Sequence, residues 1–73
     1  MDPVAVDAHF MAAECHLRIG HPNLAVLEMQ NLITRSDESN LRDRAYLRIA
    51  WIHIDHMDWS GARLAFQRIS PQG

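Results

Sequence analysis

The residues with the clearest potential for chemistry in this 73-residue chain are its five histidines. His53 and His56 would place their imidazoles on adjacent turns of a helix, with Asp55 and Asp58 nearby as oxygen donors. A zinc site needs three or four converging ligands and hydrogen bonds that orient them. His53 falls on the predicted core side of its helix, and His56 at a helix C-terminus, where a partly cationic imidazole is favourable. The sequence therefore favours structural histidines, with His53 and His56 as the residual metal candidates and no cofactor.

The other candidates for catalysis are Cys15 beside His16 and three carboxylates. Neighbouring residues on a helix point about 100° apart, so Cys15 and His16 cannot form a nucleophile and base with each other. Asp7, Glu14 and Asp55 could meet in one groove, but nothing in the sequence indicates the enclosed environment that acid–base catalysis needs. No glycine-rich phosphate loop is present. We therefore expect a protein that is not an enzyme.

Composition and charge exclude several classes of partner. Apolar residues form 48% of the chain and charged residues only 22%, which favours a packed domain over a disordered segment. Nine acidic residues against seven arginines leave no basic stripe for a phosphate backbone, so nucleic acid is not an expected partner. No apolar stretch approaches the about 20 residues of a membrane span, so no membrane insertion is expected. The single cysteine leaves the localisation unknown, with a slight preference for the reducing cytoplasm.

Three breaks divide the chain into four predicted helices. Gly20-His21-Pro22 combines a glycine suited to a helix C-terminus with a proline suited to the next first turn. The polar run 36–40 separates the second and third helices and offers several capping side chains. The third helix is predicted from Leu41 to His56. Asp58 is suited to cap the fourth, which Ser70-Pro71 should end.

The apolar spacing between these breaks is helical, so we expect an all-α fold of two antiparallel helix-turn-helix hairpins in one domain. The second helix should bury one stripe and expose the opposite side. The inward residues are Ala25, Met29, Leu32 and Ile33, and the outward residues are Asn23, Glu28, Gln30 and Asn31. In the fourth helix the inward residues are Ala62, Ala65, Phe66 and Ile69. The third helix is apolar around most of its circumference and should be covered on more than one side. Its apolar residues are Tyr46, Leu47, Ile49, Ala50, Trp51, Ile52, Ile54 and Met57.

The two halves of the chain align with an offset of 37 residues, from Ala25 to Ala62. The residues of the second half that carry the helix-turn-helix pattern are Tyr46, Ile49, Ala50, His53, Trp59, Ala62 and Phe66. Those of the first half are His9, Ala12, Ala13, His16, Gly20, Ala25 and Met29. On these residues the chain resembles the tetratricopeptide repeat, a helix-turn-helix of about 34 residues. The longer loop at 36–40 would account for the longer period. The resemblance implies two repeats, at about 4–36 and 40–71.

Two departures from the family pattern affect the interpretation. Met57 stands where the second hairpin would normally have its turn glycine, and the family's closing helix is absent. These departures indicate either a fragment of a longer repeat scaffold or a unit that covers its open end by self-association. A four-helix bundle with coincidental small-residue spacing is the alternative fold.

In this family the first helix of each hairpin lines a concave groove, so the resemblance implies a partner-binding groove here. Its residues would be Phe10, Glu14, Leu47, Trp51 and Asp55. An apolar floor edged by acids could receive a basic and hydrophobic helix or extended peptide. The Lys and Asn pair with which some members clamp a peptide carboxylate is missing, so carboxylate capture is not expected. The resemblance thus implies a protein–protein interaction module. The alternative is that the same apolar residues form a homo-oligomer contact.

Overall fold

The computed structural model describes residues 2–69, which form four α-helices joined by three short connections. The helices are α1 (Pro3–Arg18), α2 (Pro22–Arg35), α3 (Ser39–Asp55) and α4 (Trp59–Gln67). No strand occurs in this part of the chain, so the predicted all-α class is confirmed. α1 packs on α2, α2 on α3 and α3 on α4. The result is a thin array with extents of 30 × 29 × 14 Å.

The turns of the two hairpins have the same hydrogen bonds. In the first, the N–H of His21 donates to the carbonyl of His16 at 2.8 Å. In the second, the N–H of Asp58 donates to the carbonyl of His53, also at 2.8 Å. These donors and acceptors are related by the 37-residue offset read from the sequence. The repeat therefore extends to the backbone geometry of the turns.

The two turns differ in the residue that adopts the left-handed conformation. Gly20 has a φ of 83° and Met57 a φ of 59°. Glycine reaches this region without steric cost, whereas a residue with a Cβ loses roughly 1–2 kcal/mol there. The second turn thus keeps the shape of the first at the expense of local strain.

The connection between the hairpins ends earlier than the sequence predicts. α3 begins at Ser39 rather than at Leu41. Ser36 organises the connection, since its Oγ accepts from the N–H of Glu38 at 3.2 Å and its carbonyl accepts from Arg42 at 3.2 Å. The C-terminal part of the polar run is therefore helical, and none of its side chains caps α3.

The N-terminal end of α4 matches the prediction, and its C-terminal end does not. The carboxylate of Asp58 accepts from the N–H of Gly61 at 3.0 Å, which confirms the predicted cap. The helix ends at Gln67, before the predicted stop. Ser70-Pro71, on which that prediction depended, lies outside the described residues.

The core consists mainly of alanines and branched aliphatic residues. Its members are Val6, Ala13, Ala25, Met29, Leu32, Ala45, Ile49, Ala50, Ile52 and Ala65. The inward stripe predicted for α2 is confirmed at Ala25, Met29 and Leu32, which are fully buried. Glu28, predicted to face outward, is partly buried with its Oε1 2.7 Å from Nδ1 of His9. It faces α1 because the antiparallel hairpin brings these two side chains opposite each other.

The apolar surfaces of α3 and α4 are only partly covered. α2 and α4 cover two sides of α3, but Leu47 and Trp51 are 42% and 49% exposed. On α4, Ala62 and Ala65 are buried as predicted, whereas the prediction for Phe66 is wrong, since it is 42% exposed. Within the described part of the chain, α4 packs on α3 and on no other helix.

Replacing Met57 by glycine should stabilise the protein. The Met57 side chain is 77% exposed, so few contacts are lost. Relief of the left-handed strain outweighs the greater freedom that glycine gives the unfolded chain. We expect the free energy of unfolding to rise by about 0.5–1 kcal/mol in urea titration.

Gly20→Ala is the matched control. A Cβ at Gly20 would have no neighbour within 4 Å, so only the φ of 83° opposes it. This variant should be destabilised by about 1 kcal/mol. A neutral or destabilising Met57→Gly beside a destabilised Gly20→Ala would show that the second turn is not strained.

Candidate functional site

Two side-chain contacts connect α1 and α3, the helices that carry the predicted groove residues. Arg44 on α3 lies over the ring of Phe10 on α1, with 5.0 Å between its guanidinium carbon and the ring centroid. One turn further along each helix, Arg48 forms an ion pair with Glu14. The backbones of α1 and α3 do not pack on each other, so side chains bridge the space between them. We call this surface the α1/α3 face. Its predicted members are Phe10, Glu14, Leu47, Trp51 and Asp55.

The apolar part of the α1/α3 face is a ridge along α3. Leu47 and Trp51 follow each other at a spacing of one turn and are about half exposed. Asp55 continues the ridge by another turn and is exposed. Phe10 is only partly exposed, because it packs against the core beneath Arg44. Leu47 and Trp51 are two of the eleven large apolar side chains that are exposed in the described part of the chain.

The charges of the face differ from the acidic edge that the sequence predicts. Glu14 is neutralised by Arg48, and their side chains are 48% and 33% exposed. Arg44 adds a second positive charge above Phe10. With Asp55 at one end, the face carries both signs of charge in balance. Sequence reasoning missed Arg44 and Arg48 because their role depends on the register between α1 and α3. Their spacing of one turn on α3 was the available signal.

The two histidines considered as metal candidates are engaged separately. His53 Nδ1 lies 3.2 Å from Oδ2 of Asp58, the same side chain that caps α4. His56 Nδ1 lies 2.9 Å from the carbonyl oxygen of Ile52, one turn back on its own helix. Within residues 2–69, no three His, Cys, Asp or Glu side chains converge in a geometry that could hold a metal ion.

Gly61 makes room for the contact between His53 and Asp58. A Cβ on Gly61 would lie 2.6 Å from Oδ2 of Asp58 and 2.8 Å from Nδ1 of His53. In the first hairpin the equivalent residues are His21 at the cap, which makes no side-chain cap hydrogen bond, and Leu24. The His–Asp–Gly arrangement is therefore particular to the second hairpin.

The candidates for catalysis are not brought together. Cys15 is exposed rather than packed in the core. The Nδ1 atom of His16 is buried and has no hydrogen-bond partner among the described residues. Glu14 contacts an arginine instead of a second carboxylate, while Asp7 and Asp55 are exposed.

Comparisons of the chain with protein-family models, with curated proteins and with solved structures found no match. No helix in the described part of the chain has the length and apolar character needed to cross a membrane. A function must therefore be inferred from the chain's own surfaces, and the α1/α3 face is the surface that the sequence predicts to bind a partner.

The cap of α4 can be tested by two substitutions at Asp58. Asp58→Ala removes the acceptor for the N–H of Gly61 and should lower the free energy of unfolding by about 1 kcal/mol. Asp58→Asn keeps a good capping side chain and should cost much less. Urea unfolding followed by circular dichroism measures both.

Asp55→Ala, at an exposed position on the neighbouring helix, is the control and should change stability by less than about 0.5 kcal/mol. If Asp58→Asn were as destabilising as Asp58→Ala, the contact with His53 and not the cap would be the main contribution of Asp58.

Proposed function

We propose that this chain is a protein–protein interaction module, resembling a pair of tetratricopeptide repeats, that binds a helical or extended segment of a partner protein on the α1/α3 face. One observation carries the proposal. Leu47 and Trp51 are about half exposed one turn apart on a helix whose other sides are packed by α2 and α4.

The interpretation as two repeats is supported by burial as well as by the turns. Ala13 and its equivalent Ala50 are both fully buried, and Ala25 and Ala62 are 0% and 3% exposed. Small residues at the same positions of both hairpins allow both pairs of helices to approach closely. A periodic arrangement of this kind supports the proposal that the corresponding sides of α1 and α3 contribute to one face.

The dimensions of the face suit a short helical segment. From Leu47 to Asp55 the ridge covers about two helical turns, or roughly 12 Å. A partner helix presents apolar anchors at i, i+3 or i+4 and i+7, which cover a similar length. Trp51 is suited to be the central anchor, because tryptophan contributes large contact area at low conformational cost.

The charge balance of the face sets the chemistry expected of the partner. Arg44 and Arg48 lie beside Glu14 and Asp55, so a purely basic peptide would meet two arginines. A segment with apolar anchors and flanking charges of both signs fits better. This replaces the basic and hydrophobic peptide that the sequence suggested.

Trp51→Ala should weaken binding without unfolding the chain. The probe is a fluorescently labelled amphipathic peptide selected from a displayed helical library against the wild-type chain. Truncation of a central tryptophan typically costs about 2 kcal/mol, so we expect the Kd to rise by about 30-fold. Fluorescence anisotropy measures the Kd, and circular dichroism checks the fold.

Trp59→Ala is the matched control, because Trp59 is 65% exposed but lies on α4, outside the face. Its Kd should equal that of the wild type. A library that yields no binder weakened by Trp51→Ala, or an equal loss in both variants, would reject the α1/α3 face as the binding site.

A further inference from the structure

The side of α2 that packs on α3 is buried, whereas the equivalent side of α4 is exposed. On α2, Met29 is fully buried and Val26 is partly buried, since α3 packs against this side. The equivalent residues on α4 are Phe66, which is 42% exposed, and Arg63, which is exposed. No helix of the described chain takes the place beside α4 that α3 takes beside α2.

The uncovered side of α4 forms a shallow apolar depression together with the end of α3. We call it the end face. Its apolar members are Ile54, Trp59, Ala62 and Phe66. Arg63 and Gln67 border it, so the apolar centre has a polar rim. Trp59 and Phe66 are the large exposed side chains that a covering helix would bury.

α1 carries a surface equivalent to the side of α3 that packs on α2. On α3, Ala45 and Ile52 are 0% and 2% exposed where the helix meets the rest of the chain. Their equivalents on α1, Ala8 and Cys15, are both exposed. They belong to a continuous helical stripe, which we call the start face. It consists of Val4, Ala8, Met11, Cys15 and Ile19.

The start face is strongly exposed for an apolar surface. Val4, Met11 and Ile19 are 74%, 67% and 66% exposed. The stripe repeats at intervals of three and four residues, as a buried helical side does. α1 therefore resembles α3 in having a second apolar side, but nothing among residues 2–69 covers it.

We propose that copies of this chain stack head to tail, with the start face of one copy on the end face of the next. In this arrangement α1 of the second copy lies against α4 as α3 lies against α2 within the chain. The occupant of the end face is thus a second copy of the chain. The inference uses the ends of the array and does not depend on peptide binding at the α1/α3 face.

One contact of the internal interface has a complementary counterpart between copies. Within the chain, Glu14 on α1 pairs with Arg48 on α3. With the 37-residue offset, the equivalent of Glu14 is Trp51 of the first copy. The equivalent of Arg48 is Met11 of the second copy. An ion pair inside the chain thus corresponds to a methionine against a tryptophan between copies, a favourable sulfur–aromatic contact. Both residues of the pair are charged inside the chain, and both are apolar between copies.

A second internal contact identifies a place where association can be strengthened. Arg44 lies over Phe10, and the same offset places Asp7 of the second copy beside Leu47. A carboxylate beside a leucine contributes no attraction. Asp7→Leu should therefore tighten association, and an unchanged or weaker association would contradict this register.

Head-to-tail contacts use two different surfaces and leave one of each free at the ends of the stack. Growth therefore does not stop at a dimer. In sedimentation equilibrium, the average mass of the wild-type chain should rise continuously with concentration from the 8.4 kDa of the monomer. A mass that stays at the monomer value up to about 1 mM, the weak end of measurable association, would overturn the proposal.

Two variants separate this arrangement from a symmetric dimer. Cys15→Lys blocks the start face and Phe66→Lys blocks the end face, and each should remain a monomer alone. Mixed in equal amounts they should form a 1:1 complex that grows no further, because each retains the face that the other has lost. Association of either variant alone, or no complex in the mixture, would reject head-to-tail stacking.

Leu64→Lys is the matched control on the same helix as Phe66. Leu64 is 63% exposed, and its equivalent Leu27 is 50% exposed although α3 packs on α2, so this position lies outside the contact. The variant should assemble like the wild type, and a loss of assembly would count against the proposed end face. Ala8→Lys, at the position equivalent to the fully buried Ala45, and Trp59→Lys serve as second blocking variants if circular dichroism shows that either first variant is unfolded.

Peptide binding is measured separately on the monomeric Phe66→Lys variant, whose α1/α3 face is unaltered. Retained peptide binding without wild-type stacking would overturn only the present inference. Stacking without peptide binding would overturn only the proposed function.

Discussion

Alanine at the helix crossings is the feature on which the rest of this structure depends. Ala13, Ala25, Ala45 and Ala50 are all fully buried, and a methyl group allows helix axes to approach closely. Each helix packs only on its neighbours along the chain, which makes the array thin, with a smallest extent of 14 Å. A thin array has an interior only between neighbouring helices. Its outermost helices therefore keep one apolar side each with no helix of the described chain to cover it, and these sides are the start and end faces.

The two hairpins reach the same turn geometry with different local chemistry. The first has glycine at the left-handed residue but a cap position, His21, without a side-chain hydrogen bond. The second has a capping aspartate, Asp58, but Met57 at the left-handed residue. Each hairpin thus has one of the two stabilising features and lacks the other. The tertiary packing of the alanines imposes a common geometry on sequences that support it in different ways, as expected when packing outweighs local preference.

The sequence predicted those features that depend on neighbours along the chain. The four helices, the cap at Asp58 and the buried alanines follow from helical periodicity and capping chemistry, which act over a few residues. The start of α3 was placed too late because several residues of the polar run have similar capping ability, and Ser36 made the decisive contacts.

Predictions failed where the burial or the contact of a side chain depends on which helix lies opposite it. The inward direction of Phe66 was wrong because periodicity identifies an apolar side but not whether a neighbour exists to cover it. The contacts of His9 with Glu28 and of Glu14 with Arg48 depend on the relative register of two helices. A pattern within one helix contains no information about that register. The acidic character predicted for the α1/α3 face failed for the same reason.

Peptide binding and stacking of copies both involve Trp51. The ion pair between Glu14 and Arg48 indicates that the two interactions are compatible. Glu14, the equivalent of Trp51 in the first hairpin, pairs with Arg48 and still keeps 48% of its side chain exposed. A tryptophan that contacts Met11 of the next copy from the same position would likewise keep part of its ring accessible. Stacking would also bring α1 of each copy beside α3 of the preceding one, so the α1/α3 faces would join into one continuous surface. Binding sites repeated along such a surface would engage a long or multivalent partner more tightly than one copy could, without any new kind of contact.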